Sequence, residues 1–229
     1  MPERPSVPLS DPIPRPPGTA PAAPRAGADP LRLEIAAAAA RLIADGGLDY
    51  RSAKRKAAEQ LLDGGAVPRG AMPDNAEVDE ALREHLALFD DAHPARVVRM
   101  RRVALALMRE LAEYRPHLTG AVWKGIVAEH APIHLQLFHD DVKDVEIRLL
   151  NDGIEFEVGE VPHFRGDGGR RSGGSPDVEA LMTTWRGEPV LLSLYPLDDL
   201  RGALRGTPAE RGDAAGVERL LAGTPGTSG

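Results

Sequence analysis

Apolar and polar positions change their spacing about halfway along the chain. From residue 30 the period is helical. Asp29 followed by Pro30 reads as an N-cap and a first helical residue, and Leu31, Ile35, Ala38, Ala39, Leu42 and Ile43 fall on one face before Gly46-Gly47 stops the run. A second helix is expected from Asp49 to about Leu62, ended by Gly64-Gly65. After a loop with Pro68 and Pro73, Asn75 is expected to cap a third, with Val78, Leu82, Leu86 and Phe89 in line. His93-Pro94 opens a fourth, to about Tyr114, with a seam of Val97, Met100, Ala104, Leu107 and Leu111. Arg96, Arg99, Arg102 and Arg109 line its other side.

After Arg115-Pro116 the period shortens. Leu118–Val122 reads as a short strand. Pro132–Phe138 alternates, with Ile133, Leu135 and Leu137 on one face and His134, Gln136 and Phe138 on the other. Asp140 or Asp141 then caps a helix that Gly153 ends, and Ile154–Val158 is a further strand. Val178–Trp185 and Pro189–Tyr195 read as a hairpin across Arg186-Gly187-Glu188, with a short helix at Leu200–Leu204 and a turn of helix at Val217–Leu221. The fold class expected is α+β: a helical N-terminal half, then a small mixed sheet with flanking helices. Its divisions are a Pro-rich disordered tail at 1–29, four helices over 30–114, an α/β unit over 115–204 and a mostly disordered tail over 205–229.

Composition narrows the chemistry. There is no cysteine, so disulfides, thiolate metal sites and cysteine nucleophiles are excluded. Only 4% of residues are aromatic, so the core must be aliphatic, and Trp123 and Trp185 are its expected anchors. A formal charge of -7 leaves no global basic field for nucleic acid. The Pro-rich start has no apolar signal-peptide core, and no run of residues is long and apolar enough to span a bilayer, so no membrane association and a cytoplasmic location are expected. Heavy use of Ala, Arg, Gly and Pro fits a GC-rich bacterial genome.

The stretch from Gly120 to Gln136 (GAVWKGIVAEHAPIHLQ) resembles the core of the polymerase-beta-like nucleotidyltransferase superfamily, over roughly residues 93–195. In that family a Gly-Ser turn holds the nucleotide triphosphate, and a strand bearing an Asp-x-Asp pair follows about ten residues on. Glycine lets backbone N–H groups approach phosphate. Carboxylates at i and i+2 share a strand face and can share metal ions. The resemblance implies a phosphate side at Gly120, Lys124 and Gly125, with His134 and Gln136 facing the cleft as catalytic candidates. This sequence departs from the pattern in its chemistry. Ala121 stands where the family has Ser, and Pro132 and His134 stand where it has the aspartates. Neither supplies a hard oxygen for magnesium. A degenerate, non-catalytic member binding a phosphate-bearing ligand or a protein partner is therefore expected. The cofactor is not readable; no metal is expected, and a divalent ion enters only if the chain is an enzyme.

Three other readings come from the same residues. A softer metal or a proton relay would draw on His134 and Asp140, with His130, His139 and Glu129 nearby in sequence. An active enzyme would have to recruit Asp140, Asp141, Glu155, Glu157 and Glu179. The first two helices resemble the opening of a TetR-type repressor, yet Pro68 and Pro73 interrupt the place of a recognition helix. Arg51, Lys54, Arg55, Arg96 and Arg99 are the candidate contacts for RNA or DNA, although no aromatics are interleaved with them. The glycine-rich run at 165–176 lacks the spacing of a phosphate loop and reads as a hairpin connection.

Overall fold

The computed structural model describes residues 29–164, 177–201 and 210–223. The Pro-rich tail, the glycine-rich run at 165–176 and the part of the expected short helix beyond 201 lie outside the described residues. The chain is an α+β protein, helical first and sheet-based afterwards.

The helices begin where local chemistry dictates. Helix α1 (Pro30–Gly46) has Asp29 accepting a hydrogen bond from the Leu31 N–H, and Gly47 closes it. Asp49 caps α2 (Tyr50–Leu61). Helix α3 (Asn75–Phe89) corrects the expected cap: Asp74, not Asn75, accepts from the Glu77 N–H, while the Glu77 carboxylate takes the Asp74 N–H in return. Helix α4 (His93–Glu110) stops earlier than expected, and a 3-10 turn, Ala112–Tyr114, follows it.

Strand β1 (His117–Thr119) is shorter than the period suggested. Gly120 has φ +68°, a left-handed conformation that ends the strand, and Gly120–Lys124 is a single turn of helix, α5. Then follow β2 (Ile133–Phe138), α6 (Val142–Asn151), β3 (Phe156–Val161), β4 (Val178–Trp185) and β5 (Glu188–Tyr195). A 3-10 turn covers Leu197–Arg201. The expectation of a largely disordered end is overturned for 210–223, which carry β6 (Arg211–Gly212) and a full helix, α7 (Ala214–Ala222).

The sheet runs β3-β4-β5-β2-β1-β6. Among the described residues only β2 and β5 are parallel, with Ile133 beside Val190 and Phe138 beside Tyr195. On one face Leu118, Ile133, Leu135, Leu137, Leu181, Val190, Leu192 and Leu194 share a core with α4, α6 and α7. A second core joins α1, α2 and α3 and takes Ile126 from the segment after α5. The packing thus divides the four helices differently from the sequence reading, because α4 belongs to the sheet. Trp123 and Trp185 are both partly buried against the sheet core.

Candidate functional site

The resemblance set the Gly120 turn beside the alternating strand, and the two are neighbours in space. Thr119 pairs with His134 across β1 and β2. A Cβ placed on Gly120 would lie 3.7 Å from the His134 Cβ, so the turn rests directly on the histidine.

Register and the two-residue period put His134, Gln136 and Phe138 on one sheet face with His117 and Thr119 of β1 and Leu191, Ser193 and Tyr195 of β5. This is the face away from the aliphatic core, yet it is not solvated. Gln136, Phe138, Ser193 and Tyr195 are buried. The face is roofed by a cluster of rings: Phe138 stacks on Tyr195, and Phe164 meets Tyr195 edge-on. Arg211 lies over both Phe138 and Phe164, with its guanidinium 4.8 and 4.7 Å from the ring centres. His163 bonds Asp199 at 2.9 Å, which joins the residues after β3 to the 3-10 turn after β5.

Within this face His134 Nε2 lies 2.7 Å from Ser193 Oγ. Burial pushes the imidazole down to about 4, so it is neutral at pH 7. A neutral imidazole bonded to a serine invites a nucleophile reading, but the geometry argues against one. Ser193 is wholly buried and cannot meet a substrate. Gln136 Oε1 accepts from Arg211 Nη1 at 3.0 Å, which fixes the amide's orientation.

The phosphate-side candidates are held by protein groups. Lys124 Nζ donates to Asp79 Oδ2 at 2.8 Å and lies 3.9 Å from Glu210 Oε1. Asp79 also accepts from the Tyr50 hydroxyl, so α2, α3 and α5 meet there. Gly125 faces Arg101, whose Nη2 lies 3.0 Å from where a Cβ would be. Arg101 is itself buried and donates to the carbonyl oxygens of Val122 and Trp123, satisfying the end of α5.

The metal candidates are dispersed. Asp140 lies beyond the end of β2 and accepts from the Leu197 N–H. It lines a cavity of about 390 Å³ with Arg115, Leu197, Asp198 and Leu200, at the carboxyl ends of the parallel strands. His130 is exposed near Gly47, and His139 bonds the backbone of Asp141, so neither joins His134. Among the described residues no three His, Asp or Glu side chains are grouped to hold a metal ion. Glu179 lies on the opposite sheet face from His134, next to Glu146 and Lys143. Glu157 shares the histidine's face but three strands away, roughly 14 Å.

The nucleic-acid candidates do not form one patch of unpaired cations. Arg55 pairs with Glu59 and Arg96 with Asp90, while Arg99 pairs with Glu188. Lys54 donates to the Pro73 carbonyl oxygen and to Asn75, and Arg51 is exposed on α2. No DNA-reading helix follows α2: residues 62–74 are a turn and loop, as the two prolines require.

Sequence reasoning missed Ser193, Tyr195, His163, Asp199, Glu210 and Arg211 as members of this region. Ser193 had a readable signal, a polar residue between Leu191 and Tyr195 at strand spacing. Arg211 had none, since two strand residues leave no period to detect. No protein-family model, no curated protein and no solved structure matches the chain. Among the described residues no helix is long and apolar enough to cross a membrane.

Proposed function

We propose that this chain is a non-catalytic, nucleotidyltransferase-like protein, cytoplasmic and bacterial, that binds a phosphate-bearing ligand beside the Gly120 turn instead of transferring a nucleotide. The observation that carries the reading is the contact between Gly120 and His134. The resemblance calls for a glycine turn against a strand of paired carboxylates. Here the turn rests on a largely buried, neutral imidazole with a serine for its partner. Such a group accepts or donates a hydrogen bond, and it does not replace two carboxylates at a magnesium ion. Lys124 is about a quarter exposed and is the cation nearest the turn in sequence, so it supplies the charge that a phosphate would meet.

A thermal-shift panel of nucleotides, each with and without magnesium, manganese or zinc, tests the reading. A ligand that binds the folded state raises its melting temperature by mass action. The expected result is a nucleotide-dependent rise that needs no metal, with no pyrophosphate released from the nucleoside triphosphates. Release of pyrophosphate with magnesium would show an active transferase. No shift with any nucleotide would remove the reading.

Leu88 and Phe89 favour a second reading, binding to a partner protein. Both are 75% exposed, side by side at the end of α3. Sedimentation at rising concentration, with Phe89→Lys as the comparison, tests whether that partner is a second copy.

A further inference from the structure

The residues just before α7 touch Thr119, Lys124, Gln136 and Trp123 around the Gly120 turn. The Thr119 hydroxyl donates to the Glu210 carbonyl oxygen at 2.8 Å. The Glu210 carboxylate lies 3.9 Å from Lys124 Nζ. Arg211 holds Gln136, and Gly212 lies against the indole of Trp123, where a Cβ would come within 2.2 Å of the ring. We infer that Glu210–Gly212 is a latch over an anion subsite at Lys124, and that a phosphate-bearing ligand enters by displacing the Glu210 carboxylate while Arg211 and Gly212 stay in place. The inference rests on the ligand class proposed above and adds how its site is controlled.

The two carboxylates at Lys124 are not equivalent. Asp79 is buried at 2.8 Å and is also held by Tyr50, so it is a fixed partner that positions the ammonium. Glu210 is 69% exposed and a full ångström farther away, so it is the replaceable one. With both present, the ammonium is outnumbered by negative charge and an incoming anion is repelled. When Glu210 swings out, the pair Lys124–Asp79 is neutral and the partly exposed ammonium has donors left for an anion. The Thr119 hydroxyl keeps its bond to the Glu210 main-chain carbonyl oxygen, so the backbone stays in place as the carboxylate moves. The pivot is well placed for such a motion. Arg211 is gripped by Gln136, the Leu200 carbonyl oxygen and two aromatic rings. Gly212 is pinned under Trp123, and Asp213 caps α7 behind it.

The test uses the full chain and inorganic pyrophosphate without metal, measured by calorimetry, with amide exchange over 210–212 as a second readout. Glu210→Gln keeps the shape and removes the charge. It is expected to bind pyrophosphate at least about threefold more tightly than the wild type. In the wild type, pyrophosphate is expected to leave exchange at Arg211 and Gly212 unchanged, since only the Glu210 side chain moves and the β1–β6 pairing is kept. Lys124→Gln is expected to lose binding, and circular dichroism checks that it remains folded. Equal affinity of wild type and Glu210→Gln, with Lys124→Gln silent, would overturn the latch and leave the ligand reading standing. Binding retained in Lys124→Gln would place the anion elsewhere and overturn the subsite. If neither wild type nor Glu210→Gln binds pyrophosphate and nucleotides give no thermal shift, the ligand reading itself falls.

Discussion

The helices α1–α3 and the sheet are both well buried, but they are filled in opposite ways. The helical core is lined by Ala36, Ala38, Ala39, Ala40, Ala53, Ala57 and Ala58, with a few larger residues such as Ile35, Leu82 and Leu86. Small side chains let helix axes approach closely, so the contact is set by backbone proximity and has little side-chain volume to lose. The sheet core is built from Leu, Val and Ile in register on four strands and from Met100, Met108 and Leu111 on α4 and just after it. There the energy lies in the side chains themselves. One region should therefore tolerate truncation and resist enlargement, and the other should do the reverse.

Leu135→Ala should have the largest effect, about 3–5 kcal/mol from lost burial and an unfilled cavity. Urea unfolding would measure it, and a loss under ~1 kcal/mol would mean the sheet core collapses around the hole. Acid comes next and should strike the sheet first. The His134 value is depressed to about 4 in the fold, so the unfolded chain takes up a proton from about pH 6.5 downward while the folded one does not. Stability is thus intact above pH 6.5 and declines toward pH 4, by up to about 3 kcal/mol from this group. His93 and His117 are also lowered, chiefly by burial, and add slope of the same sign. His134→Gln should flatten the pH dependence of the urea midpoint, and an unchanged slope would show that the imidazole is not the sensor.

Ala39→Leu should cost about 1–3 kcal/mol by forcing α1 away from its neighbours. If the variant is as stable as the wild type, the close-packed picture of the helical core is wrong. Asp74→Ala removes one side of the reciprocal cap on α3 and should cost about 1 kcal/mol, visible as faster amide exchange in α3 with β2 unchanged.

The sequence disclosed the parts of this molecule governed by local rules. Helix α1 could be placed from Asp29, Pro30 and Gly47, and the β4–β5 hairpin from Arg186-Gly187. Strand β2 was legible from its alternation, but what lay on each side of it was not. His134, Gln136 and Phe138 could be read as one face, but period two separates faces without saying what covers them. The cover comes from Phe164, Asp199 and Arg211, distant in sequence and in no periodic run. Lys124 was singled out for its charge, yet its partners Asp79 and Glu210 lie on elements that no spacing connects to it. The nucleotidyltransferase-like resemblance is carried by the Gly120 turn and its neighbouring strand, and the ligand it implies awaits the thermal-shift panel.

The parallel pairing of β2 with β5 also bears on how the chain reaches this structure. β2 cannot zip onto β5 until α6, β3 and the whole β4–β5 hairpin have been made, since the register sets Ile133 against Val190. Antiparallel neighbours joined by a short turn form in microseconds, whereas contacts across so long a span must wait on a slower search. On a ribosome the alanine-lined helices would be complete well before β5, the strand that pairs beside Leu135. The half-made sheet, with β2 still lacking its parallel neighbour, is therefore the late species on the way to this fold.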